Sequence, residues 1–379
     1  MHYLRSVSSP SLLPLQLALV SFLVNFAAET SSIFLPLYAR DLGASNLDVG
    51  LIAASNGIAF LVSAFVFGRQ SDLKGRLVFI RFGVGLSAAV YLLQIVASNP
   101  MALLGVRALL GFCLGASSVA LMAYAYEAGE RVGKFASYSP LGSLLGTLAA
   151  AVLRDYKALF IASAAASAIA FVVSLMLREK VRNHMKVAIF PTSMIWANRR
   201  IYLPFFLRHT GANAIWAIFP LFLASIGASK LWIAIINGIN VGGQFLAMRF
   251  MDRFRAGRMF AIGLILSTLV FAIYGIASHY LQLIPVQMVL AVAWSCLYVG
   301  ALIFLLRKNV ERGTAVGMLY STTHLSAGVG PFLGGAISQV WGFPPVMFAA
   351  SGLSFAALML SRWGDAGARA RKKQAPPHL

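Results

Sequence analysis

The sequence is poor in charged residues, in acidic residues above all, and in cysteine. Only 11% of its 379 residues are charged, and 11 Asp and Glu stand against 31 Lys and Arg. A soluble domain carries about 25% charged residues, so the composition excludes a soluble globular protein. The 59% of hydrophobic residues and the mean hydropathy of +0.80 instead predict a protein of the lipid bilayer.

The sequence also lacks the motifs of enzymes and of ATP-driven pumps. It contains no H-E-x-x-H, no Cys-x-x-Cys and no clustered acidic set, which argues against a metal, a cofactor and an enzyme. Cys113 and Cys296 fall in predicted helices, so no disulfide framework is expected. The segment 129–135 has one residue too few for a phosphate-binding loop and Phe in the magnesium-binding position. No span carries a ring-forming filter, which disfavours a channel.

Apolar runs of about 20 residues predict an all-α membrane protein with twelve spanning helices. The predicted spans are 12–38, 47–68, 77–97, 101–125, 134–153, 158–177, 201–225, 231–250, 259–278, 281–305, 314–341 and 343–362. The first run is too long for the core of a signal peptide and contains Glu29, so we interpret it as a span.

The net charge of +20 is explained by where the basic residues lie. Lys and Arg crowd every second connection between spans, and the other connections hold only Arg40, Arg154, Lys157 and Lys230. The positive-inside rule then predicts a multi-pass plasma-membrane protein with both termini in the cytoplasm. Because the charge is spread over many loops, nucleic acid is not expected as a partner. The basic tail 369–373 is expected to meet anionic membrane lipid.

A repeat at constant offset divides the chain into two halves. Pro36–Ser45 is similar to Pro220–Ser229, and Asn56 and Asn240 keep the same offset. A further pairing sets Glu130-Arg131 against Glu311-Arg312. The predicted domains are an N-terminal six-helix bundle (1–177), a cytoplasmic linker (178–200) and a C-terminal six-helix bundle with the basic tail (201–379).

A charged turn follows the second predicted span, and an echo of it follows the eighth. The first reads Gly68-Arg69-Gln70-Ser71-Asp72-Leu73-Lys74-Gly75-Arg76, and the second reads Asp252-Arg253-Phe254-Arg255-Ala256-Gly257-Arg258. The first matches the loop motif G-x3-D-x2-G-R, and the second keeps its Asp, the later Gly and the Arg. The chain therefore resembles the major facilitator superfamily. Arg107-x3-Gly111-x3-Gly115 in the fourth span is similar to a second motif of that family.

This resemblance covers essentially the whole chain and implies a secondary carrier that works by alternating access, with its substrate site between the halves. The segment 330–335, Gly-Pro-Phe-Leu-Gly-Gly, resembles a motif of drug/proton antiporters, although here it lies in the eleventh span. By the same resemblance Asp72 would meet a helix N-terminus or arginines of the other half and hold the inner side closed. The residues expected to gate that side are Gly68, Asp72, Gly75, Arg76, Asp252, Gly257 and Arg258.

Glu29 is the one acidic residue deep in a predicted span. A lone carboxylate there must face a cavity, be protonated or be paired. The helical rise places Glu29 and Arg107 at the same depth, about 12–14 Å below the outer surface. In the family that the chain resembles, the first and fourth helices both line the central cavity, which implies a buried ion pair that opens when Glu29 takes a proton, with a static packing pair as the alternative. Asn25, four residues earlier, shares the face of Glu29 and would complete the network.

The second half offers basic and amide side chains for a substrate cavity. His209 and His324 are predicted at one depth, where they either titrate near neutral pH or pack as hydrogen-bonded residues. Arg208 is expected to snorkel toward the inner end of its span or to line the cavity. The polar side chains that would line a cavity or join helices are Asn213, Trp216, Asn237, Asn240 and Gln244.

Together these features favour a proton-coupled exporter of small, fairly hydrophobic compounds, with protons and a small-molecule substrate as its partners. The alternative is a symporter or uniporter of small organic anions, held by Arg107, Arg208 and the two histidines. A scaffold or receptor that transports nothing is a third possibility on such a fold.

Overall fold

The computed structural model describes residues 12–129, 135, 138–178, 192–251, 253–309 and 312–373. Within these ranges the chain is helical and contains no strand. The helices are α1 (Leu13–Ser32), α2 (Leu35–Asp41), α3 (Asn46–Lys74), α4 (Arg76–Val96), α5 (Pro100–Glu127), α6 (Tyr138–Leu153), α7 (Tyr156–Leu175), α8 (Thr192–Ala197), α9 (Arg199–Ser225), α10 (Lys230–Met251), α11 (Ala256–Ile276), α12 (Leu283–Lys308), α13 (Arg312–Trp341) and α14 (Phe343–Lys373). A 3₁₀ turn, Tyr280–Gln282, precedes α12.

Each predicted span has a counterpart among these helices, which confirms the all-α membrane fold. Nine spans of the described part are long and apolar enough to cross a bilayer. The first predicted span is broken into α1 and α2, and Pro36 lies in the first turn of α2. Proline is tolerated there because the first N–H groups of a helix have no partner within it. α8 lies in the predicted linker, and α14 continues through the basic tail.

The repeated segments fold into the same turn in both halves. Gly43 and Gly227 have φ of +88° and +92°, a left-handed conformation that glycine adopts without strain. The N–H of the next residue, Ala44 or Ala228, donates to the carbonyl five residues back, at 3.0 Å and 2.9 Å. This closes the preceding helix in a Schellman-like turn. The two halves therefore share local structure as well as sequence.

Two interior asparagines make equivalent bonds in the two halves. Asn56 Nδ2 of α3 donates to the Arg107 carbonyl at 2.9 Å. Asn240 Nδ2 of α10 donates to the Gln287 carbonyl at 3.3 Å. Arg107 in the first half and Gln287 in the second thus occupy corresponding positions. The predicted domain boundaries remain a proposal, and residues 179–191 of the linker lie outside the described part.

The glycines of the R-x3-G-x3-G segment allow α5 to approach α3 closely. A Cβ added at Gly111 would strike the Asn56 carbonyl, and one at Gly115 would meet the Phe60 carbonyl. This confirms the close backbone contact that small residues permit between spanning helices.

The halves are joined at one end of the molecule. We call the end that carries Asp41, Asn46 and Lys230 the outer end, and the end that carries Gly75 and Lys308 the inner end. Near the outer end, one apolar cluster combines Ile33 and Phe34, which lie between α1 and α2, and residues of α6 and α7 with residues of α9 to α12 and α14. Near the inner end, one cluster draws its residues from the first half and another from the second. Among the described residues, the apolar core is therefore shared outside and separate inside.

Polar contacts close the outer end further. The Asn46 backbone N–H donates to Gln339 Oε1 at 2.9 Å, and its side-chain amide donates to the Ser338 carbonyl at 3.1 Å, joining α3 to α13. Lys230 Nζ donates to the Arg154 carbonyl at 3.3 Å and lies 3.8 Å from the centre of the Tyr156 ring. The conformation is therefore one in which the outer side is shut.

Candidate substrate and proton site

Glu29 lies at the meeting point of three helices. Its Oε1 accepts a hydrogen bond from Asn237 Nδ2 of α10 at 2.8 Å and a weaker one from Thr147 Oγ1 of α6 at 3.4 Å. Asn237 Nδ2 also lies 3.0 Å from Thr147 Oγ1. Since α1 and α6 belong to the first half and α10 to the second, this triangle connects the halves.

Glycines of α6 bring Thr147 close to α1. A Cβ added at Gly146 would lie 2.7 Å from the Phe26 carbonyl oxygen and 3.1 Å from Glu29 Cβ. One turn earlier, a Cβ at Gly142 would lie 3.2 Å from Asn25 Cβ. The lack of side chains at these positions lets the two backbones approach. The position of Thr147 beside Glu29 follows from that approach.

Asn25 faces the same helix as Glu29, as predicted. Ser139 Oγ of α6 donates to Asn25 Oδ1 at 2.7 Å. The Asn25 amide nitrogen donates to the Ser21 carbonyl of its own helix at 2.8 Å. A polar seam therefore runs between α1 and α6 from Asn25 to Glu29.

The predicted ion pair between Glu29 and Arg107 is not formed among the described residues, so this expectation is wrong. Arg107 Nη2 donates to Ser32 Oγ at 3.3 Å, and the guanidinium lies within electrostatic range of Tyr91 on α4. Glu29 instead points toward α6 and α10. Helical rise predicts a similar depth for both residues, but Glu29 points from α1 toward α6 and α10, whereas Arg107 of α5 contacts Ser32 at the end of α1.

Arg208 is buried inside the second half, so the expected snorkelling is wrong. Its side chain is only 3% exposed, and Nε donates to Ser267 Oγ of α11 at 2.9 Å. The guanidinium carbon lies 5.2 Å from the Phe271 ring and 5.3 Å from the Trp294 ring. Two aromatic faces and a hydroxyl thus surround the charge in place of water. Arg208 of α9 is therefore held against α11 and α12.

The two predicted cavity histidines are neighbours. His209 lies within electrostatic range of His324, and its ring is stacked 4.9 Å from Trp294 and 5.5 Å from Phe205. The His324 ring stacks on Phe60 of the first half, with centroids 4.0 Å apart. His324 therefore connects α13 to α3. Their titration near neutral pH stays a prediction.

Aromatic residues that the sequence analysis did not single out extend this site. The rings of Trp294 and Tyr298 stack 5.2 Å apart, and Tyr298 Oη donates to Tyr320 Oη at 3.1 Å. The four-residue spacing of Trp294 and Tyr298 in the tenth span was the available signal, because such residues share a helix face. We call Phe60, His209, Trp294, Tyr298, Tyr320 and His324 the aromatic cluster. All six side chains are half-buried.

The side chains of the predicted polar stripe on α10 point in two different directions. Asn237 reaches Glu29 in the first half. Asn240 is 2% exposed and bonds the Gln287 carbonyl of α12, and Gln244 Nε2 donates to Asn240 Oδ1 at 2.6 Å. Asn240 and Gln244 thus hold α10 against α12, whereas Asn237 faces the junction of the halves.

Asn213 and Trp216 lie on α9, near the Gly-Pro segment of α13. Asn213 Nδ2 donates to the His209 carbonyl of its own helix at 3.0 Å, and the Trp216 ring lies 5.0 Å from Phe219. A Cβ at Gly330 would lie 2.7 Å from Asn213 Cβ.

The other end of the Gly-Pro segment contacts the first half. A Cβ at Gly335 would lie 2.8 Å from the Gly50 Cα of α3. The Gly330–Gly335 segment therefore packs α13 against α9 on one side and against α3 on the other. In the described structure it serves the contact between the halves.

The charged turn after α3 is anchored within the first half. Gly75 has φ of +100° and separates α3 from α4. Arg76 forms an ion pair with Glu127 at 2.8 Å and donates to Ser71 Oγ at 2.7 Å. Gly68 lies in α3, and Gly257 and Arg258 lie in the first turn of α11.

Other members of the charged turns fall outside what the structure describes. These are the side chain of Asp72, residue Asp252, and the Glu130, Arg131 and Glu311 of the weaker repeat. The gating roles therefore stay predictions. Within the described ranges, no group of three or more His, Cys, Asp or Glu is placed to hold a metal ion.

Comparison with known proteins assigns this arrangement to a family. The sequence model described as "Major Facilitator Superfamily" matches residues 17–240 and 201–378. "Multidrug resistance protein MdtG" of Klebsiella pneumoniae (strain 342) is 26% identical over 367 residues, covering 88% of each chain. The protein of that name from Salmonella choleraesuis (strain SC-B67) is 27% identical over 367 residues, covering 88% of this chain and 90% of its own.

Solved structures show the same fold. The nucleoside transporter NupG superposes with a TM-score of 0.73 at 16% identity, covering 92% of this chain and 98% of its own. A mutant of NupG gives a TM-score of 0.75 at 18% identity, covering 92% and 99%. At this identity the likeness concerns the fold alone.

Proposed function

We propose that this member of the Major Facilitator Superfamily exports small, fairly hydrophobic compounds in exchange for protons. The chain belongs to that family and is therefore a membrane transporter and not an enzyme. The observation that carries this proposal is the hydrogen bond from Asn237 to Glu29, at 2.8 Å, between the two halves. A titratable group placed at that junction can link proton binding to the movement of one half against the other.

The chemistry of this bond supplies the coupling. An ionised carboxylate accepts stronger hydrogen bonds than a neutral acid, by roughly a factor of two. The donors Asn237 and Thr147 thus stabilise the charge of Glu29 while the outer end is shut. When Glu29 takes a proton, its bond to Asn237 weakens and the halves are freer to rearrange. The proton would therefore be bound on the outer side and released on the inner side.

The aromatic cluster supports an apolar, ring-containing substrate. By helical rise, Phe60 lies about 21 Å from Asn46 at the outer end, whereas Asn237, the partner of Glu29, lies about 11 Å from Lys230 at the same end. The cluster therefore lies on the inner side of the proton site. Its half-buried rings offer stacking faces, and cations as well as flat apolar groups bind such faces. The name "Multidrug resistance protein" of the relatives is consistent with this substrate class.

The orientation of the chain forms part of the proposal. Lys and Arg concentrate at the inner end, which the positive-inside rule assigns to the cytoplasm together with both termini. Substrate would then enter the separated inner side from the cytoplasm or the inner leaflet. The alternative of an organic-anion carrier loses one of its proposed ligands, because Arg208 is held by Ser267 and two rings.

The test is substrate-induced proton movement in proteoliposomes that contain a pH-sensitive dye. Ethidium serves as a lipophilic cation, glucose as a sugar and salicylate as an organic anion. Wild type is compared with Glu29→Gln, which keeps the shape of the side chain and removes its titration. Asp155→Asn is the matched control, because Asp155 caps α7 and asparagine is an equally good capping residue.

We expect proton flux with ethidium in wild type and in Asp155→Asn, and none in Glu29→Gln. Equal proton flux in wild type and Glu29→Gln would remove Glu29 as the coupling group. Salicylate flux without proton movement would replace the proposal by the anion carrier.

A further inference from the structure

Arg107 is a buried cation with few partners. Its side chain is 6% exposed, and Nη2 donates to Ser32 Oγ at 3.3 Å. Nε and Nη1 are buried and have no hydrogen-bond partner among the described residues. A guanidinium group carries five N–H donors, so most of the donors of this side chain are unused.

No carboxylate of the described part forms an ion pair with this charge. Glu29, the acid nearest in depth, is bonded to Asn237 and Thr147. The other buried guanidinium, that of Arg208, differs because Ser267 and two aromatic rings surround it. An uncompensated charge inside a protein is strongly destabilising. A negative ligand beside Arg107 would remove this penalty.

The surroundings of Arg107 offer further hydrogen-bond donors. The helices α4 and α5 are antiparallel, and Gly83 of α4 packs against Cys113 and Ser117 of α5. Tyr91, eight residues after Gly83, therefore lies beside Arg107, which is six residues before Cys113. The electrostatic interaction between Tyr91 and Arg107 agrees with this register. Gln94, one turn beyond Tyr91, is fully buried, and both polar atoms of its side chain are without a partner.

We propose that Arg107 binds a small monovalent anion where α1, α4 and α5 meet. The Arg107 guanidinium provides the charge, and the Gln94 amide and the hydroxyls of Tyr91 and Ser32 are the further donors. Chloride is the probe because it is spherical and accepts hydrogen bonds from several directions. This site is separate from the proposed proton site at Glu29 and does not depend on proton-coupled export.

The second half supplies a natural comparison. Gln287 corresponds to Arg107, because each carbonyl accepts the equivalent asparagine bond, from Asn240 or from Asn56. Gln287 is also fully buried. The fold therefore accommodates glutamine at this position, and Arg107→Gln removes the charge while placing there a residue that the chain already uses.

The test is thermal unfolding of the purified full chain in detergent, with sodium chloride replacing sodium gluconate at constant ionic strength. Wild type is compared with Arg107→Gln and with Arg208→Lys, the control that alters another buried cation. Gln94→Leu keeps the guanidinium and removes one donor. Crystals soaked in bromide locate the ion by its anomalous X-ray signal.

We expect a saturable rise of the melting temperature with chloride in wild type and Arg208→Lys, absent in Arg107→Gln. In Gln94→Leu the half-saturating chloride concentration should rise by roughly tenfold, since one hydrogen bond to a charge is lost. The bromide peak should lie beside Arg107. An equal chloride effect in Arg107→Gln, or no saturable effect in wild type, would overturn the proposal.

Discussion

Glu29 of α1 and Asn237 of α10 share a hydrogen bond of 2.8 Å that joins the first half of the protein to the second. It lies inward of the outer end, where Asn46 also bonds α13. The contacts between the halves thus include one whose acceptor is a carboxylate.

Replacing Asn237 by leucine should weaken coupling without loss of the fold. The change removes the main donor to the Glu29 carboxylate and keeps the branching of the side chain at Cγ. A hydrogen bond to a charged group contributes about 1.5–3 kcal/mol, so proton exchange driven by ethidium should fall by roughly tenfold or more. Asn99→Ser is the control, because Asn99 caps α5 at its exposed end and serine caps equally well. Unchanged exchange in Asn237→Leu would show that the bond has no part in coupling.

Two glycine-to-alanine substitutions should change stability in opposite directions. At Gly146 a Cβ would press on Phe26 and Glu29, and overpacking of this kind destabilises by about 1–3 kcal/mol. At Gly105, on α5, a Cβ would meet nothing within 4 Å, so Gly105→Ala should stabilise its helix by up to about 1 kcal/mol. Thermal unfolding in detergent measures both. A Gly146→Ala protein as stable as wild type would contradict the close packing of α1 and α6.

A cross-link between Asn46 and Gln339 should stop transport. These residues bond across the shut outer end, so cysteines at both positions should react with a short bifunctional reagent and hold the end closed. The native Cys113 and Cys296 are both buried. Substrate flux in proteoliposomes should vanish after cross-linking, and the single-cysteine variants should keep full flux. Normal flux in the cross-linked protein would mean that the outer end need not open.

Arg208→Ala should lower stability and leave the ratio of protons to substrate unchanged. The substitution empties the space between Phe271 and Trp294 and leaves Ser267 without its bond. A large-to-small change at such a site destabilises by about 2–4 kcal/mol. Unfolding measurements together with proton and ethidium flux separate the two effects. A changed ratio at unchanged stability would place Arg208 in the transport pathway.

Features that depend on neighbouring residues alone could be read from the sequence. The apolar runs predicted the spanning helices, and the repeated segments that contain Gly43 and Gly227 fold into the same turn. Helical rise also placed His209 and His324 at one depth, where the structure brings them within electrostatic range. Each of these follows from hydrophobic length or backbone geometry, which act locally along the chain.

Only the tertiary structure decided which side chains meet. Helical rise sets the depth of a residue but leaves the rotation of its helix open, so Glu29 and Arg107 were expected to pair although they point in different directions. The rotation of α1 is set by its contact with the glycines of α6, Gly146 among them. The partner of Glu29 is then Asn237, which lies in the other half of the chain and is brought near only when the two halves pack together.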